Sequence, residues 1–134
     1  MTHEYTILVR GRILAGGERP EAAGIGWAAG TVIALGSEAE MRAVSRGDSH
    51  FVDLAGAFVI PLARGADPGW PTNATLEIGA PADLVVLRDD PRRAGNTAWH
   101  LRALTIAVIR GGVVASGALP GPHDHLAPAE AQRG

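Results

Sequence analysis

Leu104-Thr105-Ile106-Ala107-Val108-Ile109-Arg110-Gly111-Gly112-Val113-Val114-Ala115 is the stretch that decides the fold class. β-Branched residues dominate on both sides of a Gly-Gly pair, which is the spacing of a two-residue hairpin. Upstream, Asp83-Leu84-Val85-Val86-Leu87 is apolar at every position after the aspartate and predicts a central strand covered on both faces. Residues 96–102 between them predict a short helical turn.

The first half reads the same way. Residues 5–10 alternate as a strand, turn at Gly11-Arg12 and continue through Ile13-Leu14. Residues 25–28 and 31–35 flank Ala29-Gly30 as a second hairpin. Ser37-x-x-Glu40 is a capping box, so one short helix runs to about Ser45. Residues 50–53 and 58–60 are expected to pair around Ala55-Gly56. Trp27, Phe51 and Phe58 supply the large core side chains. Residues 62–74 carry Gly65, Pro68, Gly69 and Pro71 without periodicity and read as a loop. From Gly117 onward the chain is Pro, Gly, Ala and charge, a frayed and dispensable tail.

Composition excludes several classes. The chain has 134 residues, enough for one domain with its own core, and a formal net charge of -2. Its twelve cations form no basic stripe, and Arg92-Arg93, the densest point, reads as a solvated turn; nucleic acid is a poor partner. There is no cysteine, hence no disulfide or thiolate site. Every cation is arginine, which excludes Schiff bases, P-loops and lysine-bridged metals. The N-terminus lacks a signal-peptide pattern and no apolar run spans a bilayer, so a cytoplasmic location is expected.

Several segments together resemble the amidohydrolase superfamily. Residues 7–14, Ile-Leu-Val-Arg-Gly-Arg-Ile-Leu, are similar to its opening strands, and residues 30–36, Gly-Thr-Val-Ile-Ala-Leu-Gly, to its second hairpin. Residues 52–61, ending Phe-Val-Ile-Pro, resemble the segment leading into the family's catalytic barrel. Residues 76–87, with Ala82-Asp83-Leu84-Val85-Val86-Leu87, resemble the return into its small domain, and residues 108–114 its closing hairpin. The resemblance implies the composite β-sandwich that the family builds from both chain ends. It also implies a metal-binding His-x-His after Pro61, but Leu62-Ala63-Arg64-Gly65-Ala66-Asp67 stands there. A (β/α)₈ barrel takes roughly 250 residues, and only residues 62–74 occupy its place.

Other residues invite chemistry and have a structural reading beside it. His123-Asp124-His125 is the one His-x-His, but it lies in the tail without an evident third ligand, so adventitious metal binding is favoured over a built site. Asp83 reads as a turn acceptor and Asp53 as a strand-end residue. Ser37 is explained as a cap, and His50 and His100 as surface or half-buried side chains. Trp70 is either a ligand platform or a cover for apolar surface, with the second preferred.

The expected chain is therefore mainly β: a composite β-sandwich of short hairpins with one short helix and no TIM barrel. It would span residues 1–117, with 62–74 as a loop in place of the barrel and 118–134 as the tail. No catalytic residue, cofactor or specific metal site is expected, His123 and His125 being the sole metal candidates and Trp70 the interface candidate. The expected role is a non-catalytic structural or interaction module, or a remnant without one. The alternative is an accessory subunit of a hydrolase of non-peptide C–N bonds, completed by a separate barrel chain; a third reading is a small-ligand binder using the 62–74 loop. The partner would be a second copy or another protein at the surface where a barrel would sit.

Overall fold

The computed structural model describes residues 5–16, 21–45, 49–63, 74–92 and 98–119. These form β1 (Thr6–Val9), β2 (Arg12–Ile13), β3 (Gly24–Ala28), β4 (Thr31–Gly36), α1 (Glu38–Val44), β5 (His50–Asp53), β6 (Phe58–Pro61), β7 (Leu84–Leu87), α2 (Ala98–Leu104), β8 (Thr105–Arg110) and β9 (Val113–Gly117). One sheet runs in the order β4-β3-β1-β5 and the other β2-β6-β7-β8-β9. The fold is a mainly β sandwich of two open sheets.

Strand alternation builds its layers. Leu8, Ile25, Trp27, Val32 and Val52 of the first sheet meet Ile13, Val59, Leu84, Val86, Ala107 and Ile109 of the second in one apolar core. The intervening positions also find cover. Ile7 and Val9 lie with Met41 of α1 on the outside of the first sheet. Phe58, Ile60, Val85, Leu87 and Val108 lie with Leu101 of α2 on the outside of the second. β7, at the middle of the second sheet, is covered on both faces, which explains why it is apolar throughout, whereas the edge strand β9 is exposed along its length. The second helix exceeds the single one expected: the predicted turn at 96–102 is a full α2, because Leu101 has the outer face of β6–β8 to cover.

Two expected pairings do not form. Residues 6–9 and 12–13 do not make a hairpin, nor do residues 50–53 and 58–61. In each case the chain crosses from one sheet to the other. β1 pairs with β5 in parallel in the first sheet, and β2 with β6 in parallel in the second. The crossings run side by side: the N–H of Leu54 donates to the Val9 carbonyl at 2.8 Å and the N–H of Gly56 to that of Arg10 at 2.9 Å. The cause is Leu54, which is 2% exposed and sits between the sheets. A hairpin turn would have left it in water.

The hairpins expected at Ala29-Gly30 and Gly111-Gly112 do form. Both central residues of each turn have positive φ, as a type I′ turn requires: 52° and 79°, then 58° and 82°. Ala55-Gly56 adopts the same left-handed pair, at 52° and 89°. Alanine is a poor choice there, since a Cβ in the left-handed region costs about 1–2 kcal/mol. Ala29→Asn and Ala55→Asn, both at exposed positions, are each expected to raise stability by about 0.5–1 kcal/mol. Urea denaturation midpoints at constant slope would measure this; a lower midpoint in either variant would contradict it.

Candidate functional site

The sandwich has two ends. At one, the sheet crossings lie beside the start of α1. Ser37 caps that helix: its hydroxyl accepts from the Glu40 N–H at 3.1 Å while the Glu40 carboxylate accepts from the Ser37 N–H at 2.7 Å. Glu21, Ala22, Ala23, Leu35, Gly36, Ser37 and Glu40 line a groove of about 410 Å³ there. Neither acid is idle, because Glu21 binds Arg12 at 3.0 Å and Glu40 is spent on the cap.

The same end carries an organised charge cluster. Arg92 Nε and a terminal guanidinium nitrogen donate to the two oxygens of Asp90, each at 2.8 Å, and the Arg92 N–H adds a third bond at 2.9 Å. Arg92 also lies 4.0 Å from Glu21, whose other partner, Arg12, stacks on Phe58 at 4.9 Å. The Arg92 side chain holds the Asp90 carboxyl below the usual carboxylate range, against the opposing effect of burial, and the Arg92 N–H and the charges of Arg92 and Arg12 assist. A carboxyl whose pKa is lower in the folded state stabilises fully above its unfolded value of about 3.9; that contribution is lost as pH falls through the folded value. Asp90→Asn is therefore expected to cost about 1 kcal/mol near neutrality, kept small because Arg92 is half in water. In melts, its deficit should begin to close below about pH 4 and vanish once the pH is below the lowered folded value. A deficit independent of pH would show that the pair's charge contributes nothing.

The other end holds the turns, and it is the candidate functional surface. The ends of the 62–74 segment are side by side there: a Cβ on Gly16 would lie 2.7 Å from the Ala74 carbonyl oxygen and 3.5 Å from Pro61 Cγ. Leu62 N–H donates to the Asp83 carbonyl at 3.0 Å, and Leu76 N–H to the Ala15 carbonyl at 2.9 Å. The β3–β4 and β8–β9 turns lock together on the same end. Gly112 N–H donates to the Ala82 carbonyl, Ala82 N–H to the Gly30 carbonyl, and the indole of Trp27 to the Gly112 carbonyl at 3.1 Å. Asp83 completes the lock by accepting the Gly111 N–H at 2.6 Å. Ile78, next to the Gly79–Val32 bond, is 66% exposed, and Val113, next to Gly112, is 68% exposed. Both stand on this end.

Asp83 is a turn acceptor and Ser37 a helix cap, as read. Asp53 ends β5, and its carboxylate also accepts the Ala55 N–H at 2.8 Å. His50 opens β5 of the first sheet, and His100 lies in α2, whose Leu101 packs on the second sheet. His123, His125 and Trp70 lie outside the described residues. Among the described residues, no group of three or more His, Asp or Glu side chains stands close enough to hold a metal ion, so they do not fit a catalytic metal. No described helix is long and apolar enough to cross a membrane. The Asp90–Arg92 pair was not foreseen; its signal is Asp90-Pro91-Arg92, an acid two residues before the turn amide that it accepts.

The molecule is, in class, an open two-sheet β-sandwich with a helix on each outer face. No protein-family model and no curated protein matches the chain. Two solved structures are similar to part of it. One is an uncharacterized metal-dependent hydrolase from Pyrococcus furiosus, 22% identical, with a TM-score of 0.39; the match covers 42% of this chain and 13% of that one. The other is an uncharacterized metal-dependent hydrolase from Pyrococcus horikoshii OT3, 25% identical, TM-score 0.39, covering 42% of this chain and 12% of that one.

Proposed function

We propose that this chain is a non-catalytic interaction module that receives a protein partner on its turn end. The observation that carries the reading is the employment of its reactive side chains. Ser37, Asp53 and Asp83 each satisfy a backbone N–H of the fold, and Asp90 is bound three times by Arg92. Groups committed in this way are not poised to transfer protons or attack a substrate. The turn end, by contrast, displays Ile78 and Val113 as exposed apolar side chains. Exposed apolar side chains grouped at one place mark docking surfaces more often than singly scattered ones. A second copy is the first partner to test, because closed two-fold assembly is the commonest solution.

Light scattering after size exclusion, at tens of micromolar, is expected to give twice the monomer mass of 13.8 kDa. Val113→Lys and Trp70→Glu are expected to return it to the monomer. A clean monomer would remove the two-fold reading, and a dimer indifferent to both changes would move the interface elsewhere. Co-purification of a barrel chain would instead favour the accessory-subunit role. The purified chain is expected to show no turnover of hydantoins, dihydropyrimidines or N-acyl amino acids with zinc or manganese. Saturable turnover abolished by a His50 or His100 substitution would overturn the non-catalytic reading.

A further inference from the structure

We draw no further inference here: the strongest candidate, the groove between Glu21 and Glu40 at the crossing end of the sandwich, is an acidic cluster whose carboxylates are already bonded to Arg12 and to the α1 cap, and no second observation points to a ligand.

Discussion

Leu54→Ala is expected to destabilise the fold by about 3–5 kcal/mol, the range for a fully buried leucine that leaves a cavity. That is a large share of the roughly 5–15 kcal/mol holding a domain together. Leu54 is 2% exposed and fills the space between the sheets where both crossings pass. Its neighbour there is Gly11, whose backbone lies outside the left-handed region, so the glycine is required by space alone. A Cβ on Gly11 would overlap Leu54 Cδ1 and come within 3.1 Å of the Ala57 carbonyl oxygen. Gly11→Ala alone is expected to cost about 1–3 kcal/mol as overpacking. In the Leu54→Ala background most of that cost should vanish, because the overlapping methyl is gone. The double variant would then be more stable than the sum of the singles predicts, by about 1 kcal/mol or more. Strict additivity in denaturant midpoints would show that the two residues do not share this space.

The second large effect belongs to the turn end. Gly30→Val is expected to cost about 3 kcal/mol or more, since two penalties fall on one residue. Its φ of 79° is hostile to a β-branched side chain. Its Cβ would also stand 2.9 Å from the Gly111 carbonyl oxygen, a backbone atom fixed in the neighbouring turn. Gly56→Ala provides the control. Gly56 has φ 89° but nothing within 4 Å of an added Cβ, so only the conformational cost of about 1–2 kcal/mol applies. Equal losses in the two variants would mean that the packing of one turn on the other contributes little.

What could be read from sequence follows from the range of each signal. The β3–β4 and β8–β9 hairpins, the capping box and the double-faced β7 are local patterns, and each stands in the structure as read. The lateral order of strands is not local. Asp53 and the left-handed pair Ala55-Gly56 have the turn chemistry of a hairpin, yet they serve a crossing between layers. The discriminating residues were the apolar Leu54 and Ala57 on either side of the turn, both buried and both in the central core. A hairpin tip has no apolar surface to hide them against. The structural roles of Ser37, at the crossing end, and Asp83, at the candidate turn end, were legible because each bonds a cap or turn amide of a recognisable motif. The exposure of Ile78 at this end was not, since it depends on how residues 79–81 run along β4, through the Gly79–Val32 bond and the bridge between Thr31 and Pro81.

The order in which the sheets draw on the chain has a consequence for synthesis. The first sheet lies wholly within residues 6–53, whereas the second recruits β2 from the start of the chain and then waits for β6 to β9. A chain emerging from the ribosome can assemble β1, β3, β4 and β5 early, with α1 sealing their outer face. The inner face of Leu8, Ile25, Trp27, Val32 and Val52 then stays open until Leu84, Val86, Ala107 and Ile109 arrive to close it. During that interval the nascent chain carries an uncovered apolar sheet, the kind of surface on which chaperones act and aggregates start.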